Sequence, residues 1–262
     1  MHILGFHSHA MRLCLGLVLG LPALYPALAA PSNASKTASS EAPGDAAAQF
    51  GLGELYLYGR GVDQDDAQAF RLFKKAAEQG HMQAERNLGF LYYEGRGTPR
   101  DYAEALKWYR KAAEQGDAGS QNDLGNMYLN GIATTRDPAE AANWFRKAAE
   151  QGEPRAQNNL GYLYYHGTGV TQDYAEAGKW YRKSADQGYA QAENNLGILY
   201  YYGQGVAQDY AEAAKWYRKA ADQGLVKAET NLGNMYNSGQ GVAKDYTEAA
   251  KWYRKAADGK DS

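Results

Sequence analysis

The chain has 262 residues, 44% of them hydrophobic, and its 28 Lys+Arg nearly balance 30 Asp+Glu for a net charge of −2. Both signs are scattered along the chain and no basic stripe forms, which argues against nucleic acid as a partner. Tyrosine is abundant at 22 copies, many of them at regular positions.

The N-terminus reads as a secretory signal over residues 1–29. Arg12 supplies the positive charge, Leu13 to Leu21 the short apolar run, and Ala27-Leu28-Ala29 a small-x-small cleavage site. Translation from Met1 or from Met11 is equally compatible with this pattern. Cleavage near Ala29 removes Cys14, the only cysteine, so the exported chain reaches an oxidising compartment without a thiol. Cys14 precedes the apolar run, unlike a lipoprotein cysteine, and no later segment is apolar enough to span a bilayer. The expected location is therefore periplasmic or secreted. Residues 30–44, rich in Ala, Pro and Ser, read as a flexible linker.

From there a unit of 36 residues repeats six times without an insertion, at about 45–80, 81–116, 117–152, 153–188, 189–224 and 225–258, with 259–262 as a tail. Leu-Gly marks each copy, from Leu52-Gly53 through Leu88-Gly89, Leu124-Gly125, Leu160-Gly161 and Leu196-Gly197 to Leu232-Gly233. In the fifth unit Ala192, Leu196, Gly197 and Tyr200 share one face of a helix that ends at Gly203-Gln204-Gly205. Asp209 starts a second helix as N-cap, and Glu212 reads as the partner in a variant of the capping box. Asp101/Glu104, Asp137/Glu140, Asp173/Glu176 and Asp245/Glu248 repeat that pair. The second helix carries Ala213, Trp216, Tyr217, Ala220 and Ala221, small residues that permit close approach beside rings that fill space.

These strings (Ala-x-x-x-Leu-Gly, Gly-x-Gly-Val, Asp-Tyr-x-x-Ala, Trp-Tyr-x-Lys-Ala-Ala and a closing Gly) resemble the Sel1-like repeat family, relatives of the tetratricopeptide repeats. The resemblance covers roughly Ala46 to Asp258. It implies an all-α fold, a right-handed α-α superhelix (solenoid) of six helix-turn-helix repeats. Departures are Leu72 in the Trp slot of the first unit and Ala133 for the second turn glycine of the third. The final helix, near Trp252 and Tyr253, has no following unit to cover it, a route to self-association.

The constant Leu, Gly, Tyr and Trp slots belong to the frame. The near-constant Asn87, Asp123, Asn159, Asn195 and Asn231 read as hydrogen-bonded to the neighbouring turn. In tetratricopeptide-like stacks the first helix of each pair lines the concave face, so the resemblance points four variable slots into a groove. From them come the candidate binding residues Arg86, Phe90, Tyr93, Asn122, Asn126, Asn158, Tyr162, Tyr165, His166, Asn194, Ile198, Tyr201 and Tyr202. Amides beside rings suit a peptide backbone or a sugar hydroxyl. Arg86, Arg155 and Lys227 at the groove edge would serve a ligand with a carboxylate.

Chemistry is not expected. Gly95-Arg96-Gly97 follows no strand and lacks the Lys-Ser/Thr tail of a phosphate loop. His81 and His166 occupy different slots of different units, so no metal or cofactor is expected. Weak β-lactam hydrolysis is attributed to cysteine-rich relatives, but their paired cysteines and any Ser-x-x-Lys string are missing here. The expected protein is an exported scaffold or adaptor that binds a protein or peptide, with carbohydrate binding (peptidoglycan or exopolysaccharide) as the alternative.

Overall fold

The computed structural model describes residues 45–259. The expected signal peptide (1–29), the expected linker (30–44) and residues 260–262 of the expected tail lie outside the described residues. Twelve helices follow one another in pairs, with no strand among the described residues. The odd-numbered helices are α1 (Ala46–Tyr58), α3 (Met82–Glu94), α5 (Ala118–Asn130), α7 (Pro154–His166), α9 (Ala190–Tyr202) and α11 (Val226–Ser238). The even-numbered ones are α2 (Asp66–Glu78), α4 (Tyr102–Glu114), α6 (Pro138–Glu150), α8 (Tyr174–Ala185), α10 (Tyr210–Asp222) and α12 (Tyr246–Asp258). Each helix packs on the one before and the one after it, so the expected all-α solenoid is what forms. None of the described helices is long and apolar enough to cross a membrane.

Caps fix the boundaries. Every even-numbered helix begins after an aspartate whose side chain accepts a backbone N–H two or three residues on, as Asp209 does from Glu212 at 2.9 Å. Odd-numbered helices end at a left-handed residue, for example Gly203 at φ 66°, a conformation with no steric cost for glycine. The capping-box reading of the glutamates is corrected in one respect. The Asp209 N–H is already taken by the Tyr200 carbonyl at 2.9 Å, so Glu212 has no donor to fold back to. It receives the Trp216 indole N–H at 2.9 Å and the Lys215 ammonium instead, as Glu104 does with Trp108 and Lys107.

The Leu-Gly pair works as a seat. At Gly197 a side-chain Cβ would stand 2.7 Å from the Tyr217 ring, and Gly53, Gly89, Gly125, Gly161 and Gly233 receive Phe73, Tyr109, Phe145, Tyr181 and Tyr253 in the same way. The ring lies flat on helical backbone, which lets the two helices of a unit approach closely. Leucines and alanines continue this core across unit boundaries, so that Leu129, Ala141, Phe145, Leu160, Leu163 and Trp180 form one cluster. Between units, Arg110, Arg146, Arg182 and Arg218 donate to the hydroxyls of Tyr128, Tyr164, Tyr200 and Tyr236 in the next odd-numbered helix. The second turn glycine meets the preceding unit's backbone: a Cβ at Gly205 would stand 2.3 Å from the Tyr174 carbonyl. Ala133, which replaces that glycine in the third unit, is the only non-glycine residue with positive φ among those described, at 55°. At the final helix Trp252 is buried, with Lys255 and Arg218 over its ring, whereas Tyr253 is 37% exposed.

Candidate functional site

The odd-numbered helices bring the candidate residues onto one face, and the structure sorts them by what they already hold. Asn122, Asn158 and Asn194 are 2%, 6% and 4% exposed. Their side-chain oxygens accept from the Nδ2 of Asn159, Asn195 and Asn231 in the next unit at 3.0, 2.9 and 3.0 Å. The two asparagine slots thus form an amide ladder between units, which corrects the expected bond to a turn. The ladder consumes the acceptor of each inner amide and fixes which way it faces. Asn122 spends its Nδ2 on Asp123, whereas the Nδ2 donors of Asn158 and Asn194 take no partner among the described residues.

One rung differs. Asp123 stands where four other units have asparagine, and Arg86 stands opposite it. Burial pushes the Asp123 carboxyl above the usual carboxylate range, while Arg155 and Arg86 pull it back. Arg86 also pairs with Asp117 at 3.4 Å, and Arg155 with Glu153 at 2.7 Å and Asp123 at 3.7 Å. Both guanidiniums face carboxylates of the protein itself, so the expectation that they await a ligand carboxylate is corrected.

The rings divide as well. Tyr165 and Tyr201 donate their hydroxyls to Gln204 and Gln240 in the following unit at 2.6 and 2.7 Å, and set their rings edge-on against Tyr174 and Tyr210. Tyr93 packs on Tyr102 in the same manner. Phe90 packs among Tyr109 and Met127, and Ile198 is buried. Asn126 is half-buried, and its side-chain oxygen lies 3.5 Å from Asn159 Nδ2. Tyr162 and His166 lean together with ring centres 4.3 Å apart, and burial lowers the His166 pKa while raising that of Tyr162. Tyr202 lies outermost, 45% exposed. The sequence reading missed Tyr181 and Tyr217, taken for frame residues. Their rings are buried behind this face, and burial together with Tyr165 and Tyr162 raises the pKa of the first, as burial together with Tyr202, Tyr201 and Tyr165 does that of the second. A signal was available, because the same slot holds Phe73 and Phe145 in two units, so the frame needs the ring and not the oxygen.

Among the described residues no group of three His, Cys, Asp or Glu could hold a metal ion. The face presents amide donors, half-buried rings and internally paired charges.

Comparison with known proteins agrees with this architecture. The Sel1 repeat model matches residues 46–81, 83–117, 118–153, 154–189, 190–225 and 226–261. A protective antigen of uropathogenic Escherichia coli with this repeat fold is 43% identical, with a TM-score of 0.76; the match covers 82% of this chain but 46% of that one, so the chain spans about half its length. A Sel1 repeat protein from Oxalobacter formigenes is 36% identical over 83% of this chain and 87% of its own, with a TM-score of 0.77. An immunity protein from Pseudomonas aeruginosa is 25% identical over 84% and 85% of the two chains, with a TM-score of 0.53. No curated protein matches. Six consecutive matches in one register leave a single reading of the architecture: the chain belongs to the Sel1 repeat family.

Proposed function

We propose that this protein is an exported scaffold that holds a partner protein by a peptide segment laid along the odd-numbered helices. The observation that carries the reading is the pair of Nδ2 donors on Asn158 and Asn194. They lie one unit apart, are nearly buried and are oriented by the ladder behind them. Neither Nδ2 is shut off from solvent, so each oriented donor is open to an acceptor on a ligand. A peptide backbone offers carbonyls at regular spacing. The signal sequence read in residues 1–29 supports a periplasmic or secreted location. Sugar binding has less support, because the Tyr165 and Tyr201 rings are packed on neighbouring tyrosines and their hydroxyls hold glutamines.

The test uses Asn158→Asp with Asn194→Asp, which keeps an oxygen for Asn195 and Asn231 but removes both free donors. Peptides selected on the wild-type protein should lose binding to this variant while its helical circular dichroism persists. Undiminished peptide binding by a folded double variant would refute the reading.

A further inference from the structure

The joint between one unit and the next is made in the same slots each time. Phe73, Ala76 and Ala77 of the first unit share a cluster with Ala84, Leu88 and Leu91 of the second. The third and fourth units repeat it, with the Phe145 ring and two alanines against Ala156, Leu160 and Leu163. The described array ends on these same slots, one half of the joint at each end. Ala48, Leu52 and Leu55 stand on α1, and Tyr253, Ala256 and Ala257 on α12. Leu55 is 36% exposed where its five counterparts are 0–1%, and Tyr253 is exposed where the ring of every other unit is 0–3%. Ala48 and Ala257 are exposed as well, although their counterparts are buried. A repeat array that stays single is closed by polar outer faces. Here both outer faces keep the apolar side chains of an internal joint.

The two faces also match in their polar groups. Arg110, Arg146, Arg182 and Arg218 each donate to a tyrosine hydroxyl of the following unit. The next members of that series are Arg254 on α12 and Tyr56 on α1, and neither side chain has a hydrogen bond among the described residues. Gly205 meets the Tyr174 carbonyl of the preceding unit, whereas its counterpart Gly61 has nothing within 4 Å of its Cβ position. The residue that corresponds to Tyr174 is Tyr246, 64% exposed on α12. Residues 30–44 contain no aromatic residue and no Leu, Ile, Val or Met, and 260–262 are Lys-Asp-Ser, so neither stretch supplies side chains of the kind these slots bury. A second copy of the chain supplies all of them.

We propose that copies of this chain join end to end, the α12 face of one seated on the α1 face of the next, as unit seats on unit inside the chain. The joint is heterologous, so it continues the array from copy to copy and does not close a two-fold dimer. One internal contact is missing from it, because the amide ladder would set Thr230 against Gly51 where an asparagine pair stands within the chain. The joint is therefore weaker than the internal ones, and association is reversible. It is independent of the peptide reading, whose donors lie in units four and five.

The test is sedimentation velocity of the full chain at rising concentration. The wild type should form species of increasing mass at concentrations below about 1 mM. Ala48→Glu and Ala257→Glu should each weaken this association by at least about tenfold, because the joint would bury a carboxylate without a partner. Both positions are exposed in the single chain, so the helical circular dichroism of the variants should match wild type. Each variant keeps one intact face, so an equal mixture of the two should form a dimer and grow no further. Arg254→Glu should replace Ala257→Glu in that mixture with the same result. A wild type that stays monomeric at about 1 mM, or a variant that associates as the wild type does, overturns the proposal. Dimers that one variant abolishes and the mixture does not restore mark a two-fold contact and overturn it too.

Discussion

Glycine inside a helix is ordinarily a weakness, and replacing it by alanine gains about 1 kcal/mol. Gly197→Ala should do the reverse. Its Cβ would stand 2.7 Å from both Cδ1 and Cε1 of Tyr217, well inside van der Waals contact. The Tyr217 ring is 3% exposed and held between α9 and α10, so relief requires the helices to part. Overpacking of this kind costs about 1–3 kcal/mol, which cancels or exceeds the propensity gain and leaves a net loss of up to about 2 kcal/mol. Gly51 is the matched control, because it lies within α1 with nothing within 4 Å of its Cβ position. Gly51→Ala should therefore stabilise by about 1 kcal/mol. Urea unfolding followed at the helical dichroism band measures both, with amide exchange in α9 and α10 to localise the effect. If Gly197→Ala stabilises the protein as Gly51→Ala does, the ring seat is not what the Leu-Gly pair provides.

Two further outcomes follow from the third unit. Ala133 holds a left-handed backbone at φ 55°, so Ala133→Gly should raise stability by about 1 kcal/mol in the same urea assay; a loss would show that the methyl group makes a contact worth more than the strain. Asp123 has a folded-state pKa raised by burial, so its contribution is fully present below the unfolded value of about 3.9 and is lost as pH rises through the folded value. The stability of wild type relative to Asp123→Asn should therefore fall from about pH 4 toward neutrality, and a flat difference across that range would contradict the assignment.

Much of this fold is written in local spacing. The 36-residue period, the aspartate before each even-numbered helix and the glycine after each odd-numbered one are chain-local signals, and each corresponds to a cap or a packed ring. What stayed hidden joins residues of different helices. Asn195 and Asn158 are 37 residues apart and Tyr165 and Gln204 are 39 apart, so their pairing exists only once units stack. Glu212 was misread for a related reason: the competing acceptor for the Asp209 N–H, the Tyr200 carbonyl, belongs to the previous helix. The candidate face was legible as a set of slots, but not which atoms in it were spent. Only contact geometry separates Asn158, which keeps a donor, from Asn122, which gives its own to Asp123.

The amide ladder also bears on how such a chain can change its length. Excising the 36 residues of unit five would bring Asn231 onto Asn158, Gln240 onto Tyr165 and Tyr236 onto Arg182, the same pairs at the same spacings. Units of this kind can be duplicated or dropped by recombination with each seam healing itself. Unit three is different. Its Asp123 has an arginine on either side, Arg86 before and Arg155 after; excising unit four would put Gln191 in place of Arg155 and remove the ion pair of that carboxylate, and excising unit two would put Phe50 in place of Arg86. That charged rung keys the order of units two, three and four, while the neutral rungs leave the units beyond them exchangeable.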